Sequence, residues 1–287
     1  IRGTSAMARP HILFIQAQDI SWQKGLYGPG RDDIEMKILS IDEAGTDSTT
    51  IIRSPKGWSR TEPEFVTAHE EFLVLAGSIT INGQTYNTHQ YGFLPAGYTR
   101  QQASSEQGAV LLTTFADRPE VKSGAGPDYD KKLLVPFVDP LTMEWDEGLT
   151  DPKFAGGTSI KPLRNDPYTK ESSFLYCTRP HRVPAGMKKP QWTHPMIEEV
   201  FCIDGEYVWG DCGRMGPGGY AWWLEGEYHG PAGTEVGYHL WVRTVNGPLA
   251  NDIGEEYMPF TWDPEFNPSL PDDLKKIAKP YVRPPNY

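Results

Sequence analysis

The feature that most constrains this chain is an internal repeat. Glu70-Glu71-Phe72-Leu73-Val74-Leu75-Ala76-Gly77 lies over Glu198-Glu199-Val200-Phe201-Cys202-Ile203-Asp204-Gly205 at an offset of 128. Pro95-Ala96-Gly97-Tyr98-Thr99-Arg100 lies over Leu224-Glu225-Gly226-Glu227-Tyr228-His229 at an offset of 129. One residue of slippage across two strands and their loops is small, so the chain reads as two copies of one unit. Both copies are built from short runs of alternating or β-branched residues bounded by Gly and Pro, the pattern of antiparallel β-structure. The 29 glycines and 26 prolines of the 287 residues fit many short strands joined by turns.

The strands can be followed in order. His11-Ile12-Leu13-Phe14-Ile15 is an apolar first strand, followed by a Gly/Pro-rich loop from Gly25 to Gly30. Glu35–Ile41 alternates, 49–53 is β-branched, and 65–77 runs into 78–81 and the hairpin signal Asn82-Gly83. Residues 92–97 and 110–115 end the first set. The second set opens near Ser173 and ends with Gly237–Arg243. Between them, a polar, Pro- and Gly-punctuated stretch carries a short strand at Lys132–Pro136, and a short helix is expected at Asp272–Ala278 after Pro271. The predicted division is a tag remnant over 1–8, a first barrel over 9–118, a linker over 119–157, a second barrel over 158–250 and a tail over 251–287.

Composition narrows the function. A net charge of −11 argues against nucleic acid or an anionic membrane surface as partner. No run of 18 apolar residues exists, so no transmembrane helix is expected. Three cysteines, Cys177, Cys202 and Cys212, do not make a disulfide framework, which suggests a cytoplasmic setting.

The chemistry concentrates in the second copy. His194 and Glu198 are four apart in a β-rich stretch, hence of one parity, and His229 follows a Gly two strands later. Two imidazoles and a carboxylate at one point suit a divalent transition metal with open positions. The corresponding residues of the first copy are Val66, Glu70 and Arg100, so that copy is expected to hold no metal. Arg100 is expected to pair with Glu70 in place of the ion. His69 has the wrong parity to join them, and His11, His89 and His181 are assigned no role. Aromatic residues crowd the second copy, and the predicted pocket comprises Trp192, Cys202, Trp222, Trp223, His239 and Trp241. For Cys202 and His239 a purely structural role is the competing expectation. Glu71 and Glu199 should point outward as solvated or interface charges.

The spacing His194, three residues, Glu198, six residues, Gly205, then Gly226, two residues, His229, resembles the two motifs of the cupin superfamily in a two-cupin arrangement. The resemblance implies an all-β fold of two jelly-roll-like barrels with few short helices, the N-terminal one degenerate. It departs from the family at Trp192, which stands where the first motif has its leading His, and at Leu224 and Glu225, where a Pro-containing turn is usual. The remaining two His and one Glu match the ligand set of non-heme iron oxygenases. The resemblance therefore implies a metal-dependent oxidoreductase, a dioxygenase using Fe(II) on a small aromatic or enolisable substrate. Two alternatives stay open: an isomerase, lyase or decarboxylase with Zn, Mn or Ni as Lewis acid, or a non-enzymatic cupin that binds a small ligand. A homodimer is expected by resemblance alone.

Overall fold

The computed structural model describes residues 9–24, 31–152, 157–184 and 186–284. Residues 1–8, expected to be a tag remnant, and the expected loop 25–30 lie outside them. The fold is all-β, with two compact units, a few 3-10 turns and one short helix, Asp272–Lys275, among the described residues.

Each unit is organised on one large antiparallel sheet. In the first unit the order is Val135–Val138, Tyr91–Leu94, His69–Ile81, Ala109–Ala116, Ser48–Ser54, Glu35–Ile41, Gln23–Lys24. In the second it is Ile12–Gln16, Gly219–Trp223, Ile197–Gly205, Tyr238–Val245, Ser172–Thr178, Thr158–Asn165. The registers repeat as the sequence offset requires. Glu70 faces Leu94 and Phe115, as Glu198 faces Trp223 and Thr244. The isolated bridge Glu64–Arg100 has its counterpart in Trp192–His229.

Gly77 and Gly205 end the repeated motif for a steric reason. Both have positive φ, and a Cβ would stand 2.0 Å from the Gly108 carbonyl oxygen in one unit and 2.2 Å from that of Gly237 in the other. The hairpin at Asn82-Gly83 forms as its residues predict, with φ of 50° and 82°.

Alternation along the strands separates two buried faces. Val200, Cys202, Ala221, Trp223, Leu240 and Val242 join the inner core of the second unit. Glu199 projects from the opposite face, yet it is fully buried rather than solvated, held by Tyr220 Oη at 2.7 Å and Arg243 Nε at 2.7 Å. Glu71 is buried likewise and accepts from Tyr91 Oη at 2.9 Å, the same Tyr–Glu pair one repeat earlier.

The units do not divide the chain where the sequence pattern divides it. Among the described residues, unit one takes 9–10 with 20–143, and unit two takes 11–19 with 144–284. The first strand, expected in the first barrel, pairs instead with Gly219–Trp223 of the second unit, with Ile12 opposite Trp222. Local pattern marks a strand but does not name its partner. The expected linker carries the first unit's edge strand, Val135–Val138. The expected tail supplies Asp252–Pro259, which pairs with Lys188–Thr193 of the second unit.

In the first unit, Arg100 and Glu70 form a direct ion pair, with side chains 14% and 10% exposed. Arg31 pairs with Glu64, the residue bridged to Arg100 through the backbone. Val66 packs into the apolar core. Arg100→Ala should destabilise the protein by about 3 kcal/mol, because it strands a buried carboxylate. The double substitution Arg100→Met/Glu70→Leu should recover most of that loss. Urea unfolding of the three variants measures both effects.

Candidate metal centre

His194, Glu198 and His229 come together in the second unit, their ligand atoms all within 4.8 Å of one another. His194 Nε2 lies 3.1 Å from His229 Nε2 and 3.2 Å from Glu198 Oε2, and His229 Nε2 lies 3.9 Å from the same oxygen. Strand parity alone does not produce this convergence. The strand Lys188–Thr193 ends just before His194, the chain bends through Pro195 and Met196, and the next strand starts at Ile197. His229 is delivered by the turn after Gly219–Trp223, where Gly226 has a φ of +80° and its N–H donates to the His194 carbonyl at 2.9 Å. Backbone bonds in both directions between Trp192 and His229, each 3.0 Å, fix the two segments together.

The outer nitrogen of each ring sets its tautomer. His194 Nδ1 stands 2.9 Å from the Ala250 carbonyl oxygen, and His229 Nδ1 stands 3.1 Å from that of Glu227. A carbonyl only accepts, so each Nδ1 carries the hydrogen and each neutral ring turns an Nε2 lone pair inward. Both imidazoles are buried, while Glu198 keeps 13% side-chain exposure. Three lone-pair donors meeting in an apolar enclosure repel one another unless they share a cation.

Protonation can satisfy only part of this demand. Burial would lower the His194 pKa, but the Glu198 carboxylate outweighs it and raises it. Burial, followed by the neighbouring His194, pushes His229 down to about 3. Burial would raise Glu198, but His194 foremost holds it below the ordinary carboxylate range. A divalent ion fits better. Ligands about 2.1 Å from a shared ion stand about 3.0 Å apart on an octahedral face and about 3.4 Å apart in a tetrahedron, close to the two spacings at His194, with the His229–Glu198 pair wider at 3.9 Å.

A cavity of about 420 Å³ opens on this cluster. Trp192 and Trp223 line it as expected. Trp223 stacks on His229, with centroids 4.3 Å apart and planes 7° apart, and Trp192 meets the same ring edge-on. Gly230 makes room for Trp192, since a Cβ there would come within 2.4 Å of its ring.

The other four expected pocket residues lie elsewhere. Trp222 and Trp241 are buried on the opposite face of the sheet, one position out of phase with Trp223 and with Leu240 and Val242. Cys202 faces inward but sits two inward positions beyond Glu198, about 13 Å along the strand, sealed in the core. Its thiol pKa is pushed up by burial, which keeps it protonated. His239 is exposed and stacks on Trp145, with centroids 5.6 Å apart. His69 accepts from the Ala96 N–H at 3.1 Å and stacks on Phe93 in the first unit, away from Glu70.

Sequence reasoning missed Tyr176, Tyr207, Trp209, Tyr238 and Lys189, all on the cavity wall. Tyr176 and Tyr238 could have been found by extending inward parity along strands 172–178 and 238–245. Burial pushes the Tyr176 phenol up to about 12 and raises those of Tyr207 and Tyr238 further, so all three stay protonated.

Comparison with known proteins agrees with this fold. Residues 11–117 match the model of the ChrR cupin-like domain family. No curated protein matches the chain in sequence. Among solved structures, a proposed dioxygenase from Nostoc punctiforme is 19% identical with a TM-score of 0.73, over 90% of this chain and 93% of its own. An oxalate decarboxylase from Bacillus subtilis is 12% identical with a TM-score of 0.53, over 88% of this chain and 81% of its own. The 7S globulin of Momordica charantia is 11% identical with a TM-score of 0.52, over 84% and 86%. At these identities the likeness concerns the fold alone, and the fold also serves a globulin. The chain thus has a cupin-like fold, with residues 11–117 similar to the ChrR cupin-like domain.

Proposed function

We propose that the second unit is the centre of a metal-dependent oxidoreductase, a dioxygenase using Fe(II) on a small planar or enolisable substrate. His194, Glu198 and His229 are its protein ligands. The observation that carries this reading is the convergence of two buried imidazoles, their lone pairs aimed by backbone carbonyls, on the Glu198 carboxylate. Two His and one carboxylate are the set that leaves iron with open positions.

A bound divalent ion supplies a Lewis acid that lowers the substrate's pKa and, as iron, a route for electrons to dioxygen. The protein's residues do the rest. The Ala250 and Glu227 carbonyls hold the imidazoles in the ligating tautomer. Glu198 offsets part of the charge. Trp192, Trp209 and Trp223 wall the chamber, exclude water and offer flat faces to a planar ligand. The cavity's volume suits a small organic molecule.

Elemental analysis with an oxygen-electrode assay tests the reading. About one iron per chain, with oxygen uptake on enolisable or catecholic substrates, is the expected result. Turnover with zinc, manganese or nickel and no oxygen uptake would replace it with Lewis-acid chemistry. Metal-free protein that binds ligands without turnover would make it a binding protein.

A further inference from the structure

We infer that the ligand of this cavity is a small aromatic or unsaturated carboxylic acid whose carboxylate docks on Lys189. The inference rests on the metal-centre reading for the other end of the ligand. Lys189 lies on the strand Lys188–Thr193 and lines the same cavity as His194, Glu198 and His229. Its Nζ donates to the Ala232 carbonyl at 2.9 Å and stands 5.9 Å from the Phe260 ring centroid. Neither contact carries a negative charge, and an ammonium has three hydrogens to place. The buried arginines of this unit are provided for differently: Arg164 holds Asp166 at 2.5 Å, and Arg243 holds Glu199 at 2.7 Å.

The carboxylates lining the cavity are otherwise engaged. Glu198 belongs to the ligand cluster, and Asp151 accepts from Asn251 Nδ2 at 3.2 Å. Burial lowers the Lys189 pKa, so the ammonium sits in a place that penalises its charge. An incoming carboxylate removes that penalty. Rings along the wall and a cation lining the same cavity as the three donors together select a flat acid.

Salicylate and salicylamide are matched probes, alike in shape and different in charge. Quenching of tryptophan fluorescence should be titrated with each, in metal-free and metal-loaded protein. Salicylate is expected to bind metal-free wild type at least about tenfold more tightly than salicylamide. Lys189→Met should erase that preference with metal content unchanged, and Lys189→Arg should keep it. Equal binding of the two probes, binding of neither, or a preference that survives Lys189→Met would overturn the inference. Because the preference is read without metal, its failure is separable from failure of the metal centre, which shows as absence of metal in the wild type.

Discussion

His194→Ala and His229→Ala are each expected to weaken metal binding by at least about 100-fold, while His69→Ala keeps the wild-type metal content. Loss of a residue that merely orients a ligand already costs about 10- to 100-fold in many sites, and loss of a ligand costs more. With three protein donors, removing one leaves two, and each alanine also opens a void beside the apolar wall of Trp192, Trp209 and Trp223. His69 is the fitting control. It neighbours Glu70 in the first copy of the motif, but its ring bonds the Ala96 N–H on the other side of the strand. Elemental analysis after dialysis against a weak chelator reads the result, with circular dichroism to verify folding. Metal retained by His194→Ala, or lost from His69→Ala, would remove the assignment of the ligands.

The convergence of His194, Glu198 and His229 was legible in the sequence because the repeat supplies its own control. The same frame carries Val66, Glu70 and Arg100 in one copy and His194, Glu198 and His229 in the other. The Arg100–Glu70 pair follows from charge and position, and it forms. The pocket was less legible, because parity holds only within an unbroken strand and does not say how far the cavity reaches. Trp222 and Trp223 are neighbours in sequence yet lie on opposite faces. Cys202 has the right parity at the wrong depth. Lys189 stands on a strand whose pairing register shifts between Pro190 and Trp192, so counting by twos from Trp192 does not find it. The partner of the first strand was illegible for a different reason: an apolar pentapeptide fits the edge of either repeat, and only tertiary packing decides between them.

That first strand sets the other large effect. A chain truncated before Ile20 is expected to lose metal binding and the cooperative unfolding of the second unit, although every residue from 144 onward is intact. Ile12, Phe14 and Ile15 are each at most 1% exposed. Burying each contributes about 1.5–3 kcal/mol, and together they approach the roughly 5–15 kcal/mol of a whole domain. The strand also covers the edge at Gly219–Trp223, the strand that carries Trp223 against His229. Phe14 is the critical contact. It joins the inner core, meets Phe266 edge-on at 6.0 Å, and leaves no room for a Cβ on Gly213, which would stand 2.9 Å from its ring. Phe14→Ala in the full chain should therefore cost about 3–5 kcal/mol. Seven of the nine tryptophans lie in the second unit, so near-ultraviolet circular dichroism reports on it selectively. Urea unfolding followed by that signal should show an early, separate transition in Phe14→Ala and a flattened signal in the truncated chain. A truncated chain with the wild-type spectrum and metal content would mean that the second unit closes its sheet without Ile12–Gln16.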